Sequence, residues 1–306
     1  MNINGYFIFD GFDTRTLTGV TVVRGETLES PARDFDVREI PGRNGDLLLD
    51  NRKYPNTEIT YHVMIRENVE STFRQLAGFL LSRTGYCKLS DSWSTSEFYL
   101  AYVSQPITPT VSRGDERGAF EVVFNRKPQR FLVSGETPET LITSTGSPTH
   151  SIANTVNPTW FSSRPQIKLK LARNAVSSGL NIFHGALYTK APTSYSSTTY
   201  MVAGSERDII LYKGFQQSMD AYLVSGDEIL IDCEARSVYN LTKGISLNEL
   251  VYIMNKSATP GGDNTIYYPD FPEIPSILST TSVCYSLFFS DTDFSEITVL
   301  SRWWTI

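Results

Sequence analysis

From Thr57 to Arg66 the chain alternates: Ile59, Tyr61, Val63 and Ile65 are large and apolar, and Thr60, His62, Met64 and Arg66 stand between them. Successive side chains of a strand point to opposite faces, so this pattern commits the segment to a half-buried β-strand. Phe98, Leu100 and Tyr102 repeat the period, as do Phe120, Val122 and Phe124. Between the first two of these segments the spacing changes. Phe73, Leu76, Ala77 and Leu80 fall at i, i+3, i+4 and i+7, one face of a helix, with Asn68 as its candidate N-cap. The first half is therefore expected to be a β-domain carrying one helix.

A chain of 306 residues is longer than one core usually supports, so two domains are expected. The character changes after Asn125, where Arg126, Lys127 and Arg130 cluster around Pro128 and a Ser, Thr, Gly and Pro-rich stretch follows from Glu136 to Pro148. The expected boundary lies near Val133, giving domains 1–133 and 134–306. In the second, Ile167, Leu169 and Leu171 alternate, as do Ile229, Ile231 and Cys233, with strand-like runs at Ser282 to Phe289 and Ile297 to Leu300. Turn clusters at Ser177 to Gly179 and Gly261 to Asn264 separate them, and Ala191 to Thr199 reads as a long loop or an exposed hairpin. The fold class expected is mainly β: two β-sandwich domains, the N-terminal one with a helix.

The three histidines, His62, His150 and His184, have no metal-ligand spacing, and neither a phosphate loop nor a nucleophile elbow occurs. Asp232 and Glu234 share a strand face, the minimum for paired carboxylates, but alternating Ile231 and Cys233 explain them as that strand's solvated side. Asp291 and Asp293 resemble a calcium loop only faintly, without its Gly and distal Glu. Cys87, Cys233 and Cys284 are odd in number and far apart, which suits buried thiols in a reducing compartment. No cofactor, no metal and no catalytic residue is expected. Aromatics including Trp160, Tyr188, Tyr195, Tyr200, Trp303 and Trp304 could form a sugar-stacking platform, though packing is their commoner use.

The formal charge of -6 offers no basic face for a nucleic-acid backbone. The first ten residues lack the charged and apolar regions of a signal peptide, and no apolar run approaches the roughly 18 residues of a membrane span. A soluble chain without a membrane partner is expected.

Asp36 to Ile65 reads DVREIPGRNGDLLLDNRKYPNTEITYHVMI and packs two turn signals, Pro41-Gly42 and Asn44-Gly45, between apolar segments. Pro presets φ and Gly or Asn tolerates positive φ, so the residues themselves describe a β-hairpin or looped edge. The stretch also resembles the N-terminal motif of the phage distal tail (Dit, siphovirus tail component) family: the acidic-Val pair Asp36-Val37, the turn Pro41 to Asp46, Tyr54 to Asn56, and the strand Ile59 to Ile65. The resemblance runs on through Glu70 to Leu81, Tyr86 to Leu89, Phe98 to Val103 and Phe120 to Phe131. In the second half it rests on Asn157 to Trp160, Ile229 to Tyr239, a Gly-rich turn before Asn264, and Arg302 to Trp304.

The resemblance implies a structural virion protein of a long non-contractile tail, with a galectin-like or carbohydrate-module-like second domain. It implies a homo-hexameric ring built by the first domain at the tail tip, joining the tail tube protein to the tip protein or baseplate. A receptor-binding protein and the tape measure are further candidate partners. DNA would pass through the lumen without specific binding, and assembly would take place in the bacterial cytoplasm. The ring interface is expected at the turn Pro41, Gly42, Arg43, Asn44, Gly45 and Asp46. The alternative is a carbohydrate-binding adhesion module that contacts the host surface through the second domain.

Overall fold

The computed structural model describes residues 5–25, 30–112, 117–142, 150–174, 179–188, 190, 207–212, 222–256, 265–267, 271, 273–274, 284–290 and 293–306. Asp291, the turn Gly261 to Asn264, most of Ser177 to Gly179, and the stretch Ala191 to Thr199 lie outside these. The chain forms two compact units, Met1–Val133 with Thr305–Ile306, and Ser134–Trp304. The architecture is mainly β.

The first unit contains β1 (Phe7–Phe9), β2 (Phe12–Asp13), β3 (Val20–Arg24), β4 (Phe35–Arg38), β5 (Leu47–Asp50), β6 (Thr57–Ile65), helix α1 (Val69–Leu81), β7 (Cys87–Asp91), β8 (Glu97–Val103), β9 (Thr110–Ser112) and β10 (Arg117–Leu132). Antiparallel pairing gives the order β2-β1-β7-β8-β10-β6-β3, with β9 added along the start of β10. The alternation that announced β6 is realised: Ile59, Tyr61, Val63 and Ile65 are all buried.

Three strands separate β1 from β6 in the sheet, yet the Phe7 ring lies 5.1 Å from that of Tyr61 and 5.6 Å from that of Phe124. Gly5 beyond β1 also bridges Val22 of β3. The two layers of the sandwich are thus parts of one sheet rolled onto itself. Its core holds Phe7, Phe9, Tyr61 and Phe124, and Leu76 and Leu80 of α1 enter the same cluster. Long β10 makes the roll possible, pairing with β6 through Gly118 to Arg126 and with β8 through Phe124 to Leu132. The β8 register shifts between Arg126 and Arg130, where Pro128 has no N–H to give the ladder.

Asn68 does sit at the start of α1, but its side chain makes no capping hydrogen bond. It adopts a left-handed conformation (φ 50°, ψ 45°), and its carbonyl accepts from Thr72 N and Ser71 Oγ, both at 3.0 Å. Asn is among the few non-glycine residues that enter this region readily, which explains its presence there.

The second unit contains β11 (Glu139–Ile142), β12 (His150–Thr155), β13 (Gln166–Leu171), β14 (Gly179–Tyr188), β15 (Arg207–Tyr212), β16 (Glu228–Asp232), β17 (Ser237–Asn240), β18 (Ile245–Ser246), β19 (Val251–Lys256), β20 (Thr265–Tyr267), β21 (Cys284–Ser290) and β22 (Phe294–Leu300). They form two sheets, β11-β22-β13-β16-β17-β18 and β12-β21-β14-β15-β19-β20. Ile167, Leu169, Ile229, Ile231, Ile297 and Val299 of the first sheet are buried, as are Leu180, Leu211, Leu287 and Phe288 of the second. The first sheet realises the alternation seen in the sequence, whereas β21 of the second is buried at six consecutive positions, Cys284 to Phe289.

Candidate functional site

Among the described residues, strands β4 and β5 pair only with each other, as a two-stranded sheet apart from the rolled sheet. The register places Phe35 opposite Asp50, Asp36 opposite Leu49, Val37 opposite Leu48, and Arg38 opposite Leu47. Opposed residues share a face, so one face of the hairpin carries Phe35, Val37 and Leu48 together. These side chains are 40%, 58% and 56% exposed. An isolated hairpin is marginally stable in water, and an apolar face without cover makes it more so.

The turn Pro41 to Asp46 forms the tip and is exposed throughout. Arg43 N donates to Ile40 O at 3.1 Å, with Pro41 and Gly42 between them and Gly42 at φ 81°. Pro at the second position and a positive φ at the third are the marks of a type II turn. Gly45 follows at φ 80°, and a Cβ added at either glycine would meet nothing within 4 Å.

At the base, the Arg33 guanidinium grips Asp50 with both arms, Nε to Oδ1 at 3.0 Å and NH2 to Oδ2 at 2.6 Å. Lys53 Nζ lies 3.0 Å from Asp34 Oδ2, and Asn51 Nδ2 donates to Asp34 Oδ1 at 3.3 Å. The bond from Arg33 holds the Asp50 carboxyl below the usual carboxylate range, and the bond from Lys53 does the same for Asp34. Backbone bonds Asp34 N to Lys53 O and Asn51 N to Asp34 O, each 3.1 Å, complete a clamp that fixes where the arm leaves the sheet. The arm is therefore rooted firmly and bare along its length, with the six turn residues at its tip. The exposed apolar surface sits on the strands that flank the six turn residues.

The other sequence candidates have structural explanations. Asp232 Oδ1 accepts from Glu234 N at 3.0 Å and Ala235 N at 2.9 Å, shaping the β16–β17 turn, while Oδ2 accepts from Gln166 Nε2 at 3.1 Å. His62 Nδ1 lies 3.2 Å from Glu121 Oε1 on an exposed cross-strand pair. The three cysteines are free thiols, and burial pushes Cys233 and Cys284 up in pKa. Among the described residues no three His, Cys, Asp or Glu side chains come together to hold a metal ion, and no helix is long and apolar enough to cross a membrane. Of the proposed aromatic platform, Trp303 is buried and Trp304 stacks on Phe161 at 4.3 Å. Trp160 is 64% exposed, while Asn157 and Thr159 beside it turn inward to hydrogen bonds. Tyr195 and Tyr200 lie outside the described residues.

The chain superposes over 99% of its length on 99% of the crystal structure of the Dit protein of phage SPP1, with 12% identity and a TM-score of 0.53. The fold is that of SPP1 Dit. That protein is described as a paradigm of the hub adsorption apparatus in phages that infect Gram-positive bacteria. The phage P2 baseplate in its activated conformation with Ca matches 94% of this chain and 98% of its own, at 10% identity and a TM-score of 0.43. The corresponding Sr structure matches 94% and 99%, at 9% identity and 0.41. No protein-family model matches the sequence, and no curated protein matches it either.

Proposed function

We propose that this chain is a Dit-type distal tail protein, a non-enzymatic virion component that closes a ring, six copies being expected, at the end of a long phage tail. The observation that carries this reading is the likeness to SPP1 Dit over 99% of both chains, which takes in both units. The ring joins the tail tube to the tip or baseplate and leaves a channel for DNA, whose phosphates an acidic chain repels rather than holds.

The β4–β5 hairpin, with the turn Pro41 to Asp46 at its tip, is the clasp between neighbours. A closed ring needs a heterologous contact, in which one patch meets a different patch on the next copy. Covering Phe35, Val37 and Leu48 recovers a part of the roughly 1.5–3 kcal/mol that each such side chain gains on full burial, repeated at every interface.

Light scattering on the purified full chain tests this reading. A single discrete oligomer is expected for the wild type and monomers for Val37→Asp. A wild type that remains monomeric at high concentration contradicts it.

A further inference from the structure

The outer face of the rolled sheet carries a row of side chains that neither the core nor the hairpin uses. Tyr102 of β8 lies opposite Asn125 of β10, and Asn125 in turn opposes Glu58 of β6. On the other side of β8, Cys87 pairs with Ala101, so Tyr86, one step before Cys87, comes beside Tyr102. Their ring centroids are 5.4 Å apart, with the planes at 79°. Tyr86, Tyr102, Asn125 and Glu58 thus cross four strands in one row, about 14 Å from the first to the last.

Asn56 fixes the row. Its Nδ2 donates to Tyr86 Oη and to Asn125 Oδ1, each at 2.6 Å, and Lys127 Nζ stands 5.2 Å from the centre of the Tyr86 ring. Tyr86 and Tyr102 are nevertheless 43% and 37% exposed. Both amide protons of Asn56 are spent in holding its neighbours. Among the described residues, no partner takes up the Tyr86 hydroxyl proton, the Asn125 amide protons or the Asn56 carbonyl oxygen. Two aromatic rings therefore lie open beside donors and acceptors that are already fixed in place.

The face of a tyrosine ring carries the negative side of its quadrupole. The C–H bonds on one face of a pyranose ring are weakly positive and pack against it, while the hydroxyls at the sugar's rim both donate and accept. Planar amides and a carboxylate answer such hydroxyls in pairs. A protein partner fits less well, because interface cores are desolvated and poor in charge, whereas this row ends on Glu58 and is flanked by Lys127. A net charge of -6 disfavours a nucleic acid.

We infer that the row Tyr86, Tyr102, Asn125 and Glu58, with Asn56 and Lys127 beside it, binds a pyranose saccharide. A sugar ring lies on an exposed tyrosine face, and its hydroxyls bond to the two amides. The site belongs to the first unit and stands apart from the ring reading.

Saturation-transfer difference NMR on the full chain tests this with two probes, the β-1,4-linked tetrasaccharides of glucose and of N-acetylglucosamine. Transfer to the sugar C–H protons is expected from at least one of them, with a dissociation constant on the order of 1 mM, since one short aromatic row gives little affinity. Tyr102→Ala and Asn125→Ala are expected to weaken binding about tenfold, with folding checked by thermal melts. Tyr86→Phe, which keeps the ring and loses the hydroxyl, is expected to weaken it less, and Trp160→Ala in the second unit not at all. No transfer from either probe overturns the site, as does transfer undiminished in both Tyr102→Ala and Asn125→Ala. Loss with Trp160→Ala instead puts sugar binding on the second unit and overturns it. Assembly lost in Tyr102→Ala, with no sugar signal from the wild type, marks the row as a protein contact and overturns it too. A monomeric wild type that gives the sugar signal removes the ring and leaves this site standing.

Discussion

Val37 and Leu48 face each other directly across the β4–β5 ladder, and each presents more than half of its surface to solvent. An opposed apolar pair of this kind ordinarily points into a core, as Ile59 and Phe124 do across β6 and β10. Because the pair contributes little to the fold of its own chain, Leu48→Lys is expected to change the thermal unfolding free energy by no more than about 0.5 kcal/mol. The same variant is expected to lose assembly. Size-exclusion chromatography beside a thermal melt checks both, and a large loss of stability with assembly intact would contradict this account of the pair.

The tip makes a separate prediction. Gly42 and Gly45 hold positive φ with open space around them, so a substitution there suffers backbone strain without a clash. Gly45→Val is expected to cost about 1–2 kcal/mol locally, while Gly45→Asn, which tolerates the left-handed region, costs less. Assembly titrations should therefore rank wild type, Asn, then Val in decreasing strength. Equal strength for all three would show that the tip conformation is irrelevant to assembly.

The strand β6, helix α1 and the alternating strands β13 and β16 were legible because each buries one face against a core within its own unit, and burial imposes a period. The hairpin was legible from its turns as a β-hairpin or looped edge, but its exposed apolar face was not. Asp36, Val37 and Arg38 alternate as a half-buried strand would, and the run Leu47 to Leu49 reads as core. Nothing local distinguishes apolar residues kept for a neighbouring copy from those kept for the chain's own interior. Asp232 and Glu234 do not share a strand face as expected: β16 ends at Asp232, and Glu234 lies in the turn that the Asp232 carboxylate shapes. Asn68 was located by its residue type and its mechanism misread, since its left-handed backbone rather than its side chain serves the helix.

Acid should loosen the arm. Lys53 holds Asp34 and Arg33 holds Asp50 below the ordinary carboxylate value, so each folded pKa is depressed. The stability they contribute is complete above the unfolded value of about 3.9 and is lost as pH falls through the lower folded values. Both pairs are solvent-exposed, so the effect is modest and weakened by salt. Hydrogen exchange across residues 35–50 is expected to rise relative to the core below about pH 4, and Asp50→Asn should show part of that rise at neutral pH. Exchange that follows the core at every pH would refute a role for the clamp.

The core of the first unit holds a polar contact whose loss should be global. Tyr61 Oη donates to Asp91 Oδ2 at 2.7 Å, both groups buried, with Arg24 3.7 Å from the same oxygen. Removing the hydroxyl takes a hydrogen bond from a buried carboxylate, so Tyr61→Phe is expected to cost about 1.5–3 kcal/mol in urea unfolding. A neutral outcome would mean that Arg24 and the amides of Trp93 and Ser94 satisfy Asp91 unaided.

Imaging the purified full chain by negative-stain electron microscopy tests the central claim most directly. Closed rings of one size with a central opening are predicted for the wild type, and isolated particles for Val37→Asp. Wild-type fields of monomers, or of open filaments that never close, would contradict a ring-forming tail protein.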